Sequence, residues 1–273
     1  MATCLASTML PASSRHKPPM PDGEEVHVWL IPLPNSGEYP SRLAHLISTE
    51  ESERAARFIF ERDRARFIVA HAALRDILAR YTGQDPTALV FGVAEKGKPY
   101  LAEHRRVRFN LSHSGSFATV AMALDREVGV DIECIRPDRS TDAIAARFFA
   151  PAEVRELNST PEHTRVAAFF ACWSRKEAYI KARGEGLGIA LDSFVVSLGE
   201  KAELCAAEDR ERWSMCALQA PAGYAAALAA EGSGWRVKYH DTLSCQHYSI
   251  EPRSGSCRLS TAPQSHPQGE ICS

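Results

Sequence analysis

No run of apolar residues in this chain approaches the roughly 18 that a membrane-spanning helix requires. Its first residues offer neither a basic segment followed by an apolar stretch nor a cleavage site of the secretory kind. A soluble, cytoplasmic protein is the expectation. There is no CxxC pair. The eight cysteines (Cys4, Cys134, Cys172, Cys205, Cys216, Cys245, Cys257 and Cys272) are scattered, which argues against a zinc site or a disulfide framework. His240, Cys245, His247 and Cys257 fit no zinc spacing either. An excess of one charge is also missing: 34 acidic residues stand against 32 basic ones, for a net charge of −2. Nothing global draws the chain to nucleic acid or to an anionic membrane, so a basic site must be local. What is present is 45% hydrophobic and 24% charged residues over 273 positions, enough to bury one large core or two small ones.

Both ends lack periodicity. Residues 1–23 hold four prolines, and residues 241–273 hold seven serines, three prolines and two glycines, so both read as disordered tails. Between them the chain weakly repeats itself. At an offset of 101, HVWLIPL (27–33) falls on VGVDIEC (128–134), and VAHAALRDILARYTG (69–83) falls on FACWSRKEAYIKARG (170–184), so that Arg75, Asp76 and Arg80 meet Lys176, Glu177 and Lys181. At 102, ISTEE (47–51) meets FAPAE (149–153), each a helix start with an acidic first turn. Each half continues with a short β-rich segment (ALVFGV, SFVVSL) and a hairpin pattern, over 107–124 and 214–229. The spacing predicts an α+β fold: a pseudo-dimer of two similar halves, 24–126 and 127–240, each a helical layer on a small antiparallel sheet. Apolar residues at three- and four-residue steps from Asp63 to Tyr81 predict a helix of about five turns, with Gly83 and Gly184 as left-handed stops of the two equivalent helices.

Four constellations could carry chemistry. In GVDIE (129–133) a strand would put Asp131 and Glu133 on one face, with Gly129 leaving that face open and Val128, Val130, Ile132 and Cys134 turned to the core. Adjacent carboxylates repel, and a hard divalent cation is the usual means of holding them; acidic residues facing water would look the same. In WSRKEAYIKARGEGL (173–187) Glu177 and Lys181 share a helix face, as a solvated ion pair would. At the same offset Leu30 and Pro32 stand opposite Asp131 and Glu133, so only one half carries the acidic cluster. In FNLSHSG (109–115), Ser112 and His113 could bind an anion, act as nucleophile and base, or shape a turn. EKGKPY (95–100), joined by Arg54, Arg57, Arg62, Arg64 and Arg66, could contact phosphates or form a solvated surface.

The ordered series GKP (97–99), FNLSHSG, GVDIE and WSRKEAYIK closely resembles the two-domain, Sfp-type 4′-phosphopantetheinyl transferases over about residues 27–235. The resemblance implies a site in the cleft between two α+β halves, where the phosphopantetheine arm of coenzyme A moves to a serine of an apo acyl- or peptidyl-carrier protein and adenosine 3′,5′-bisphosphate is released. It implies Asp131, Glu133 and Glu177 as Mg2+ ligands, Lys98, Ser112, His113 and Lys181 as contacts to coenzyme A, and Arg54 and Arg66 as partners of its 3′-phosphate region. Glu177, directly or through a water on the metal, would accept the serine proton, and Lys181 would neutralise the pyrophosphate. Two positions depart from the pattern: Glu51 stands where some relatives have a coenzyme-contacting lysine, and Phe67 where some have a threonine beside the nucleotide.

Two rival readings are weaker. A Mg2+-dependent phosphodiesterase or nuclease should show a basic face and a lysine two residues beyond its second carboxylate, where Ile135 stands. An inactive carrier-protein-binding module should have lost a carboxylate, and all three are present. Since one chain supplies both halves of a cleft, a monomer is expected.

Overall fold

The computed structural model describes residues 20–137 and 141–240. The anticipated tails, apart from residues 20–23, lie outside them, as do Cys245, His247 and Cys257 of the rejected metal set. The first half runs β1 (Glu25–Pro32), α1 (Ser41–Ala44), α2 (Thr49–Ala56), α3 (Glu61–Thr82), β2 (Phe91–Val93), β3 (Pro99–Leu101), β4 (Val107–Ser114) and β5 (Phe117–Leu124). The second runs β6 (Val128–Cys134), α4 (Thr141–Phe148), α5 (Pro151–Ser159), α6 (Glu162–Arg183), β7 (Val195–Val196), β8 (Leu204–Ala206), β9 (Trp213–Ala217), β10 (Tyr224–Glu231) and β11 (Arg236–His240). The α+β class is as anticipated. Among the described residues no helix is long and apolar enough to cross a membrane.

The long helices α3 and α6 each span 22 residues and stop at Gly83 (φ 75°) and Gly184 (φ 72°), a left-handed conformation that glycine adopts without a Cβ penalty. Both are pinned by the same device. Glu51, which caps the start of α2 by accepting the Ser48 amide, also takes the Arg75 guanidinium at 2.7 Å, while Arg75 reaches the carbonyls of Pro86 and Leu89. One half later, Glu153 accepts the amide of Ala150 at the start of α5 and pairs with the buried Lys176 at 2.7 Å, whose ammonium reaches the carbonyls of Leu191 and Phe194. Each anchor ties a helix start, a long helix and the following loop together.

The sheets run β11-β1-β5-β4 and β6-β10-β9. β11, assigned by sequence to the second half, pairs in parallel with β1 of the first. Trp29, Ile31, Val120 and Met122 pack under α3, and Ala227 and Ala229 under α6, while Val26, Val28, Val128, Val130 and Leu228 fill a core between the sheets. This sidedness corrects the strand alignment. Because strand side chains alternate, a one-residue slip exchanges faces; Val26 and Val28 match Val128 and Val130, so the helix-facing counterparts of Asp131 and Glu133 are Trp29 and Ile31, not Leu30 and Pro32.

Candidate active site

β4 and β6 are edges of different sheets, and side chains replace the missing ladder between them. The Val130 amide donates to Asn110 Oδ1 at 3.0 Å, Ser112 Oγ donates to Asp131 Oδ1 at 2.7 Å, Ser114 Oγ donates to Glu133 Oε2 at 2.8 Å, and the Cys134 amide donates to Ser114 Oγ at 3.1 Å. The polar residues of FNLSHS at two-residue steps therefore turn one face of β4 towards β6. Asn110 and Ser114 have no part in the sequence reading, although this alternation within an otherwise apolar strand signals them.

Gly129 is not an opening beside the carboxylates. A Cβ there would lie 2.7 Å from the Lys181 carbonyl carbon and nearer still to the Ala182 amide and the Ala178 carbonyl, so the glycine admits the backbone of α6. That approach brings Lys181 to Asp131, Nζ to Oδ1 at 2.6 Å, and to Ser112 Oγ at 2.9 Å. The alternative of acidic residues facing water fails, since Asp131 is 2% exposed. The solvated ion pair fails as well: Lys181 reaches across to Asp131 rather than to Glu177 one turn back.

Two carboxyl groups here are under electrostatic stress. Asp131 Oδ2 is buried without a hydrogen-bond partner, which costs free energy unless a cation or donor arrives. Glu177 is held above the usual carboxylate range by burial and then by the charges of Asp131 and Glu133, against the pull of Lys181. No three His, Cys, Asp or Glu side chains among the described residues are gathered closely enough to hold a metal ion as they stand. The chemistry of the set nevertheless fits a hard divalent cation, which would partner the orphaned oxygen and relieve the repulsion at Glu177.

The basic residues divide. Arg54, Arg57, Phe58, Phe67, His71 and His113 line one cavity of about 320 Å3, bringing Arg54 and His113 together as sequence alone could not. The neighbouring Ser112 is buried against Asp131 rather than open to an anion. His113 is held below its ordinary value by lost hydration at its ring and by its neighbours His71, Lys181 and Arg66. Arg66 is not among the residues lining that cavity: its guanidinium donates to the Pro34 carbonyl at 3.0 Å and to Asn35 Oδ1 at 3.3 Å, holding the chain after β1. Lys98 corrects the sequence expectation more sharply. Its ammonium donates to Glu127 Oε2 (2.7 Å), the Val128 carbonyl (2.9 Å) and the Ala182 carbonyl (2.8 Å). All three N–H donors are thus used within the chain, one on a free carbonyl at the C-terminal end of α6, where a cation is favoured. A phosphate finds no donor left there. Glu51, the departure from the lysine of some relatives, is turned inward; against the upward push of burial, hydrogen bonds from His71, the Ser48 amide and Arg75 hold it at about 2.

Comparison with known proteins identifies the family. The family model described as the 4′-phosphopantetheinyl transferase superfamily matches residues 127–229, and one described as 4′-phosphopantetheinyl transferase, N-terminal, matches residues 34–125. The chain is 36% identical over 221 residues to the 4′-phosphopantetheinyl transferase HetI of a Nostoc species, covering 79% of this chain and 92% of that one. It is 36% identical over 165 residues to a 4′-phosphopantetheinyl transferase of Bacillus subtilis (60% and 72% of the two chains), and 33% identical over 172 residues to that organism's Sfp (63% and 75%). With one relative matched along nearly its whole length and the two family models side by side on the two halves, the chain belongs to the 4′-phosphopantetheinyl transferases of the two-domain Sfp type and is an enzyme.

Proposed function

We propose that this enzyme transfers the 4′-phosphopantetheine group of coenzyme A to a serine of an apo acyl- or peptidyl-carrier protein, with Mg2+ as cofactor and adenosine 3′,5′-bisphosphate as the second product. The observation that carries the reading is the cluster at the β4–β6–α6 junction. Lys181 is shared between Ser112 and Asp131, Asp131 keeps an orphaned buried oxygen, and Glu177 stands under the repulsion of two carboxylates. Asp131, Glu133 and Glu177 would hold the metal, which when bound supplies positive charge to the pyrophosphate.

The remaining roles belong to the chain's own side chains. The carrier serine Oγ attacks the β-phosphorus of coenzyme A, the bond from that phosphorus to the bridging oxygen breaks, and the bisphosphate leaves. Glu177 accepts the serine proton. Lys181 exchanges Asp131 for the pyrophosphate oxygens as negative charge gathers on them. Ser112 and Ser114 keep the carboxylates of β6 oriented, and Arg54 and His113 bind the nucleotide side. The repeated anchors and matching sheets support a pseudo-dimer with its site in the cleft between the halves, and one chain carrying both halves supports a monomer.

Incubating the protein with an apo carrier domain, coenzyme A and Mg2+, then weighing the carrier by mass spectrometry, tests this directly. The carrier should gain one phosphopantetheine, and a chelator should prevent it. A carrier unchanged in mass under the complete conditions refutes the reading.

A further inference from the structure

The turn that joins β4 to β5 lies at the end of the carboxylate cluster, and a side chain outside the proposed mechanism fastens it there. Ser114 pairs with Phe117 across a two-residue loop of Gly115 and Ser116. The first half holds this tip through the Leu33 amide, which donates to the Ser116 carbonyl at 2.8 Å. It also holds it through Asn35 Oδ1, which accepts the Ser116 hydroxyl at 2.6 Å and the Arg66 guanidinium at 3.3 Å. The second half holds the tip through Tyr224, the first residue of β10. The tyrosine hydroxyl accepts the Ser116 amide at 2.8 Å, and the ring meets Phe117 edge-on, with centroids 5.1 Å apart and planes at 86°. The fit is close: a Cβ on Gly115 would lie 2.5 Å from that hydroxyl and 3.2 Å from Cys134 Cβ. Tyr224 is itself fixed, since it pairs with Cys134 across β10 and β6.

Tyr224, Ser116, Ser114 and Cys134 thus form a closed circuit next to Glu133. Ser114 Oγ accepts the Cys134 amide at 3.1 Å, which directs its own hydrogen to Glu133 Oε2 at 2.8 Å. Because β4 and β6 belong to different sheets, that hydroxyl keeps its place only as far as the tip of β4 does. Without the Tyr224 hydroxyl the tip is left to Leu33 and Asn35, which follow β1 on the far side of β5, and to the two hydrogen bonds of Ser114. We propose that Tyr224 is a positioning residue for Glu133 as a metal ligand: its hydroxyl seats Ser114, and Ser114 aims the carboxylate. That Glu133 ligates a metal rests on the transfer reading above; the seating of Ser114 by the Tyr224 hydroxyl does not.

Mn2+, which suits the same oxygen ligands as Mg2+, is the probe. Its binding to the intact protein is followed by electron paramagnetic resonance with coenzyme A present and no carrier, so that nothing turns over. Partners that orient a metal ligand are worth about 10- to 100-fold in metal affinity. Ser114→Ala should therefore weaken Mn2+ binding about tenfold. Tyr224→Phe, one hydrogen bond further off and with its ring kept against Phe117, should weaken it about three- to tenfold. The double variant should lose no more than Ser114→Ala alone. In transfer assays Tyr224→Phe should raise the Mg2+ needed for half-maximal rate by the same factor, with kcat restored at saturating Mg2+, because the hydroxyl touches no reacting atom. Unchanged Mn2+ affinity in Tyr224→Phe overturns the proposal, as do losses that multiply in the double variant, which would place the action of the tyrosine elsewhere. Amide exchange followed by NMR is independent of the metal: Tyr224→Phe should speed exchange at Ser116 and Cys134, and unchanged exchange at Cys134 overturns the seating. An unaltered protein that takes up no Mn2+ would refute the metal reading and with it the role toward Glu133, whereas faster Cys134 exchange in Tyr224→Phe would still leave the seating of Ser114 standing.

Discussion

Gly129→Ala isolates what the close approach of α6 contributes. The added methyl group would sit 2.7 Å from the Lys181 carbonyl carbon and closer to the Ala182 amide and Ala178 carbonyl. Apolar contacts settle at about 3.5 to 4.0 Å, and these atoms are helix backbone that cannot rotate away, so α6 must retreat by about 1 Å. Forcing volume into a packed junction costs about 1–3 kcal/mol, which for a body of this size lowers the melting temperature by about 2–12 °C. The same retreat stretches the 2.6 Å contact between Lys181 and Asp131 and the 2.9 Å contact to Ser112 towards the limit of hydrogen bonding. A misplacement of about 1 Å in a catalytic group costs on the order of 10²-fold in rate. Thermal unfolding followed by circular dichroism and single-turnover transfer to an apo carrier domain measure the two effects on the same preparation. A Gly129→Ala protein with unchanged melting temperature and unchanged rate would refute the seating of α6 on this glycine, and with it the account of how Lys181 reaches Asp131.

Glu177→Gln should abolish most transfer, by roughly 10² to 10⁴, because the amide cannot accept the serine proton, while raising stability at neutral pH in the presence of a chelator. The sign follows from linkage: a carboxyl raised in the folded state holds its proton more tightly there than in the unfolded chain. Its ionisation therefore costs nothing below the unfolded value and destabilises progressively as pH rises through the folded one. Melting temperatures of both proteins should coincide near pH 3 and diverge towards pH 7, with the variant higher, and a gap that closes on raising the pH would contradict this. Lys98→Met leaves Glu127 and the carbonyls of Val128 and Ala182 without their shared donor. It should cost about 2 kcal/mol, or about 4–8 °C, with little change in the KM for coenzyme A; a large rise in KM at unchanged melting temperature would return Lys98 to the coenzyme.

The parts of this protein legible in its sequence are those written in local periods. Two 22-residue helices ending at Gly83 and Gly184, the hairpin of β4 and β5, and the strand bearing Asp131 and Glu133 all follow from spacing within a dozen residues or so. What escaped depends on partners distant along the chain. Lys98, in a glycine-containing loop, looks solvated until residues 29, 30 and 84 positions away close around its ammonium. The parallel pairing of β11 with β1 spans over 200 residues and leaves no local mark. The offset of 102 aligns Glu51 with Glu153 and marks both as acidic first turns, but their second task, holding Arg75 and Lys176, needs the folded helix beside them. Gly129 is legible as a position needing no side chain, but its reason, backbone of α6 rather than open space, lies in packing between distant elements.

The contrast between the halves explains why one of them carries the cluster. In the first, the strand positions facing the long helix are His27, Trp29 and Ile31, all buried; Tyr81 of α3 closes over them, its hydroxyl within 2.8 Å of His27 Nδ1 and accepting from Trp29 Nε1 at 3.1 Å. The corresponding positions of the second half are Gly129, Asp131 and Glu133. Replacing the first of a strand's three helix-facing side chains by hydrogen lets the helix descend, and replacing the other two by carboxylates forgoes the roughly 1.5–3 kcal/mol that each large apolar side chain contributes on burial. Lys181 follows the new charge. Its first-half equivalent, Arg80, closes on Asp76 one turn back at 2.7 Å, whereas Lys181 turns to Asp131 and leaves Glu177, the counterpart of Asp76, without that ion pair. The anchors at Glu51 and Glu153, which lie away from this face, are the same in both halves, so the scaffold persists while three strand positions decide between a packed core and a reactive cluster.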